Sequence, residues 1–217
     1  MPMQQAAHDL RYLLGRCYPA DSALRFVCDH HRLAKEQRFV LARSVAADEL
    51  AQYRRSKRAM LREACGMTIF VDGYNVLITA ESLLQGYPVY LCDDGFCRDA
   101  RGLFSAFRPT GQTVRALMEI FDLLVLARPC RAEVLLDRPM SGSGSLASLM
   151  RRMMMERGLP GGAETAADVD RQLKVRGSEG GNVCVASSDC HVIDSVVRAV
   201  DMPGELAALR GIALRRI

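Results

Sequence analysis

Thr68-Ile69-Phe70-Val71-Asp72-Gly73-Tyr74-Asn75-Val76-Leu77-Ile78 is the stretch on which the fold turns. It opens with a short apolar, β-branched run that does not alternate with polar residues. That is the pattern of a strand buried on both faces of a parallel sheet. The segment from Thr68 to Ile78 as a whole reads as a strand that delivers Asp72 and Asn75 to the carboxyl edge of the sheet. Two later runs, residues 132–136 and 182–186, have the same character. Residues 113–127 and 145–157 read as helices between them. Strands alternating with helices specify βαβ units, so the expected fold class is α/β with a mainly parallel sheet. Residues 87–91 read as an added strand or hairpin ahead of the turn Asp93-Asp94-Gly95. Residues 158–162 and 176–181 read as loops.

Upstream of this region the pattern is helical. Leu10, Leu13 and Leu14 repeat at helical spacing, and residues 15–19 break that helix. Asp21 and Ser22 are N-cap candidates for a second helix that runs to about residue 31. A third helix is expected over 33–45 and a fourth, strongly charged, over 48–64, ended by Gly66. The chain thus divides into a helical module, residues 1–66, and an α/β domain, residues 67–217. The first carries 12 Lys and Arg against 7 Asp and Glu, and the second 17 against 18. A basic module beside an Asp-bearing domain suits a polyanionic partner, although Arg and Lys also simply solvate helix faces.

Composition removes several classes. No run approaches the roughly 20 apolar residues of a membrane helix. The first 14 residues lack the charged, apolar, small-residue order of a signal peptide. A cytoplasmic protein without membrane contact is expected. The eight cysteines contain no C-x-x-C pair, which favours reduced thiols over disulfides or structural zinc. Cys190 with His191, and Cys28 with His30 and His31, lack third and fourth ligands at metal-site spacing.

Each apolar strand is closed by an aspartate: Asp72 after the first, Asp137 after the second, and Asp189 three residues beyond the third. Ligands of open α/β sheets bind at the carboxyl ends of strands. Carboxylates converging there repel one another unless a cation sits among them. Oxygen-rich sites select Mg²⁺ or Mn²⁺, and such an ion supports phosphodiester hydrolysis by water. The competing reading is that an aspartate after a strand caps the next helix.

The run from Thr68 to Ile78 resembles the opening strand of the NYN branch of PIN-like nucleases, and Ser187-Ser188-Asp189 is similar to their later strand-end step. The resemblance implies a Rossmann-like fold with acids gathered around Mg²⁺ or Mn²⁺ and hydrolysis of RNA. Over nearly its full length the chain also resembles an uncharacterised prokaryotic family, domain of unknown function four hundred and thirty-four. The matching positions are Tyr12-Leu13-Leu14-Gly15-Arg16-Cys17-Tyr18-Pro19, Gln37-Arg38, Asp94-Gly95, Arg98-Asp99 and Leu136-Asp137 through Gly144. In that family a helical module precedes a PIN-like domain. By resemblance Asp72 is the central metal ligand, Asn75 orients it or a metal-bound water, and Asp137 and Asp189 complete the cluster. Asp168, Asp170 and Asp194 are candidates for a fourth acid. The usual acid on the helix after the first strand is not evident; Glu81 lies near that place, where a surface position is the alternative.

Three further features bear on substrate. The segment of Asp93, Asp94, Arg98 and Asp99 is either a loop facing substrate through Asp94, Asp99 and Arg98 or a turn with local ion pairs. Ser141-Gly142-Ser143-Gly144-Ser145 precedes a helix, and with Arg138 its hydroxyls Ser141 and Ser143 form a phosphate-binding candidate, though no Gly-Lys-Ser/Thr completes a P-loop. Arg54-Arg55-Ser56-Lys57-Arg58 is a second basic run. With no Trp and 6% aromatic residues, sequence-specific reading of single strands is not indicated. RNA is the expected partner and a homo-oligomer an option. The alternative function is a non-catalytic module binding RNA, nucleotide or protein. Aspartyl-nucleophile phosphatase chemistry wants a second Asp where Tyr74 stands.

Overall fold

The computed structural model describes residues 2–102 and 107–217. In chain order the elements are α1 (Pro2–Gly15), α2 (Ala20–His30), α3 (Lys35–Ser44), α4 (Asp48–Ser56), β1 (Arg58–Ala59), β2 (Thr68–Asp72) and α5 (Gly73–Leu84). Then come β3 (Val89–Leu91), β4 (Cys97–Asp99), α6 (Gly111–Ala127), β5 (Arg131–Asp137), α7 (Ser143–Glu156) and β6 (Gly161–Ala166). The chain ends with α8 (Val169–Ser178), β7 (Val183–Ala186), α9 (Cys190–Ser195), β8 (Ala199–Val200) and α10 (Met202–Arg210). None of the described helices is long and apolar enough to cross a membrane.

Two compact units result, and their boundary differs from a single cut after residue 66. One consists of Met1–Ser56, Pro88–Gly102 and Ala213–Ile217; the other consists of Lys57–Tyr87 and Leu103–Ile212. In the first unit α1, α2 and α3 close over Ala6, Ala7, Leu10, Val27, Cys28 and Leu41. The antiparallel hairpin β3–β4 belongs here. Its charged segment is an internal network. Arg98, 3% exposed, donates to both carboxylate oxygens of Asp94 at 2.9 and 2.7 Å and to the Arg43 carbonyl at 3.2 Å. Arg54 adds a third cationic contact to Asp94 at 3.5 Å. Arg11 holds Asp93 through two hydrogen bonds, and Asp99 accepts from the backbone and side chain of Arg101. The substrate-facing orientation expected for Arg98 is replaced by burial, because Asp94 is 1% exposed and requires a cation.

The second unit is a six-stranded sheet of order β1-β8-β7-β2-β5-β6, with every pairing parallel. The fourth helix stops at Ser56 rather than at 64, since Arg58 and Ala59 pair with Ala199 and Val200 as an edge strand. On the other edge, residues 161–166 form β6 where a loop extending to 162 was expected. Gly161 makes that strand possible: it sits at φ +120°, and a Cβ there would lie 1.9 Å from the Ala132 carbonyl oxygen. Ile69 and Val71 of β2, with Val134 and Leu136 of β5, share a core with apolar residues of α5, α6 and α7. Phe70 points to the opposite face, where the Arg176 guanidinium of α8 lies 5.0 Å from its ring centroid. The sheet is thus covered on both faces, as its unbroken apolar strands require. From β2 the chain winds outward through β5 and β6, then returns to place β7 on the other side of β2. The topological switch point lies between the carboxyl ends of β2 and β7, where ligands bind in folds of this kind.

Candidate active site

β2 carries Asp72 to the switch point but ends there rather than running on to Ile78: Gly73 starts α5 immediately afterwards, and Asn75 lies in the first turn of that helix. Only glycine fits there: a Cβ would meet the Leu135 carbonyl oxygen and the Leu136 Cδ2 at 2.7 Å each. Asp72 is 4% exposed. Its Oδ2 accepts from the Ser187 hydroxyl at 2.8 Å, and its Oδ1 accepts from the Asn75 N–H across a long 3.4 Å. Ser187 Oγ in turn accepts from the Asp189 N–H at 3.1 Å. The Asn75 side chain reaches across the switch point as well, its Oδ1 accepting from both the N–H and the hydroxyl of Ser188 at 2.9 Å. Asn75 therefore touches Asp72 through its backbone, while its amide fastens the loop after β7.

Burial pushes the Asp72 carboxyl up to about 7; the Ser187 hydrogen bond opposes this, and the charges of Asp170 and Asp189 add to it. Asp137 is raised too, by burial and then by Asp170 and Asp168. So is Asp170, by burial and then by Asp189, with Lys174 opposing. Asp170 acts on Asp72 and Asp137 and is acted on by Asp189 and Asp168, so it is the hub of the acidic edge. Its place in the first turn of α8, rather than at a strand end, kept it a secondary candidate in the sequence; the spacing Asp168-x-Asp170 was the available signal.

The capping reading is also realised. Asp168 caps α8 by accepting from the Arg171 N–H, Asp189 caps α9 through the N–H groups of His191 and Val192, and buried Asp201, after β8, caps α10. Asp189 uses Oδ1 alone in its cap. Asp194 lies at the other end of α9, where its carbonyl accepts from Lys57 at 2.7 Å, five residues along from Asp189. Glu81 is neither at this edge nor on the surface: 7% exposed, it accepts from Thr113 and Gln85 and ties α5 to α6. Beyond β5, Arg138 and Ser141 are exposed, while Ser143 is buried and its hydroxyl donates to the Arg138 carbonyl. Ser143 thus shapes the loop, and Arg138 and Ser141 remain available to a ligand.

Among the described residues no three His, Cys, Asp or Glu side chains are already gathered to hold a metal ion. The expected closed trio of Asp72, Asp137 and Asp189 is not preassembled. The donor chemistry nevertheless fits a hard cation that keeps several waters and takes one or two carboxylates, as Mg²⁺ does. A buried acid surrounded by other acids lacks positive charge, and such an ion would return Asp72 to its ionised form.

Together, the fold and this edge define a doubly wound parallel α/β domain with an acidic switch point. The chain belongs to the family described as Domain of unknown function (DUF5616), whose model matches residues 61–205. A second model, Protein of unknown function (DUF434), matches residues 3–57. The likeness to that second family, read over nearly the whole sequence, is thus confined to the helical part. The chain is also similar to the Uncharacterized protein MJ0935 of Methanocaldococcus jannaschii, 33% identical over 154 residues that cover 71% of this chain and 74% of the relative. No solved structure matches.

Proposed function

We propose that the sheet unit is a PIN/NYN-like, divalent-metal-dependent phosphodiesterase that acts on RNA. The observation that carries this reading is Asp72: a carboxyl at the switch point, buried, raised to about 7 and ringed by Asp170 and Asp189. Asp72 and Asp189 would hold Mg²⁺ or Mn²⁺, with Asp137, Asp168 and Asp170 supplying the surrounding negative field. When bound, the ion would neutralise a phosphoryl oxygen and lower the pKa of a water. Asn75 and Ser187 keep the ends of β2 and β7 in register so that the carboxylates stay at one edge. Exposed Arg138 and Ser141 lie beside the same edge to receive a flanking phosphate.

Labelled single-stranded RNA incubated with Mn²⁺ tests the proposal. The wild-type chain is expected to cleave it and Asp72→Asn to lose at least a hundredfold in rate, roughly the share of one positioned acid or base group. Equal activity of the two proteins would sink it. A second reading, a binding module without turnover, is favoured by the lack of a preassembled three-carboxylate chelate among the described residues. Calorimetry separates the two: absence of Mn²⁺ binding at millimolar concentration, together with intact RNA, selects the module.

A further inference from the structure

The helical unit exposes aromatic rings that its core does not need. Tyr12, Tyr18, Phe26 and Tyr53 are 58%, 55%, 64% and 49% exposed, although aromatics make up only 6% of the chain. Phe26 stands out because its surroundings are ordered by a chain of contacts. Asp9 on α1 bonds the His31 ring nitrogen at 2.7 Å. His31 sits edge-on to His30, with centroids 4.9 Å apart. His30 lies nearly parallel to Phe26, 14° between planes and 6.1 Å between centroids. Beside these rings is a recess of about 420 Å³ lined by Ser22, Arg25, Phe26, Asp29 and His30.

The charges around the recess favour an anion. Asp29 is neutralised by Arg38 at 2.7 Å. Arg25 is exposed and has no carboxylate partner among the described residues. Arg16, also on this unit, spreads its guanidinium over the Tyr12 ring at 4.6 Å. An apolar peptide or a lipid would want an apolar rim, whereas Phe26 is bordered by hydroxyl, guanidinium and imidazole. A flat ligand with polar edges and an attached phosphate fits the ring, the donors and the charge together.

We infer that Phe26, backed by His30 and flanked by Arg25, is a base-stacking subsite for single-stranded RNA. One unpaired base lies on the free face of Phe26, and the adjoining phosphate meets Arg25. The choice of RNA rests on the nuclease reading; the subsite itself does not need cleavage. Stacking of this kind is sequence-tolerant, so it stands beside the expectation that single strands are not read by sequence.

The experiment is fluorescence anisotropy of a labelled twelve-nucleotide single-stranded RNA with the full-length chain in EDTA, where cleavage is blocked. Phe26→Ala is expected to weaken binding about tenfold and Phe26→Tyr to leave it unchanged, since one stacked base has roughly that effect. Arg25→Gln should weaken it too and lower the salt dependence by about one counterion. Circular dichroism checks that each variant is folded; exposed Phe26 leaves no cavity on truncation. A single-stranded DNA of the same sequence and a blunt RNA duplex serve as comparisons. Unchanged binding by Phe26→Ala, no binding by wild type, tighter binding of the DNA, or equal affinity for the duplex would each overturn the inference. Phe26-dependent binding without Mn²⁺-dependent cleavage would retain the subsite and remove the nuclease reading. Cleavage with binding indifferent to Phe26 would do the reverse.

Discussion

At Asp72 the groups that act on the carboxyl are Ser187, Asn75, Asp170 and Asp189, and none of them is a cation. An unfolded aspartate ionises near 3.9. In the folded chain Asp72 holds its proton to about 7. Between those two pH values the native state binds the extra proton, so the contribution of this group to stability is fully present below about pH 4 and is lost as pH rises toward 7. A shift of about three pK units corresponds to the order of 4 kcal/mol at pH 8. Asp137 and Asp170 are raised as well and add to the same slope. Asp72→Asn removes the largest part of it. The variant is expected to be more stable than wild type at pH 8 by about 1–3 kcal/mol while losing cleavage, an exchange of stability for function common at active sites. Urea unfolding at pH 5 and pH 8 measures this. Millimolar Mn²⁺ at pH 8 should close the gap by stabilising wild type alone. Identical pH profiles for the two proteins would show that the Asp72 proton does not govern stability.

Glycines at two junctions determine how the elements carry these acids. Gly73 lets α5 begin against the backbone of β5, and its missing Cβ would strike the Leu135 carbonyl at 2.7 Å. Gly177 lets α8 lie against β7, with Val196 Cγ1 at 2.5 Å and Val185 Cγ2 at 2.7 Å from the position a Cβ would take. Alanine at either site is expected to cost about 1–3 kcal/mol through overpacking, partly offset at Gly177 by better helix propensity. Their effects on cleavage should separate. Gly73→Ala displaces the residue next to Asp72 and should lose activity even where circular dichroism shows it folded; Gly177→Ala should keep activity below its melting temperature. Loss in both would mean that the whole sheet edge shifts as one body. At this scale the sequence was readable wherever packing wrote an apolar run: β5 and β7 lie within a residue of their expected positions, and β2 begins at Thr68 as expected but ends at Asp72, with residues 73–78 helical where the strand was expected to continue. β6, Gly-Gly-Ala-Glu-Thr-Ala, carried no such run because it is an edge strand with one neighbour, β5. β1 and β8 are two residues each, too short for any periodicity.

Across the whole molecule the division into units is not a division of the sequence. Residues 88–102 and 213–217 belong with the helices, a membership decided by long-range pairing such as that of Tyr90 with Arg215. The same limit applied to the arginines. Arg98 and Arg138 were equal candidates for substrate in the sequence, because charge is visible there and burial is not. The structure separates them: Arg98 is 3% exposed and bonded twice to Asp94, whereas Arg138 is exposed beside Asp137. Arg98→Ala leaves a carboxylate that is 1% exposed with the Phe96 N–H at 3.2 Å and Arg54 at 3.5 Å in place of its two short guanidinium hydrogen bonds, and is expected to cost about 3–5 kcal/mol. Arg138→Ala removes a solvated charge and should change stability by no more than about 0.5 kcal/mol. Its effect belongs in KM for RNA, several-fold higher with kcat nearly unchanged, since a flanking phosphate contact is equal in ground and transition states. Thermal melts and steady-state kinetics on the same two variants give opposite patterns if stability lies in the helical unit's buried ion pair and substrate capture lies at the sheet edge. A drop in melting temperature for Arg138→Ala, or a pure KM effect for Arg98→Ala, would reverse that assignment.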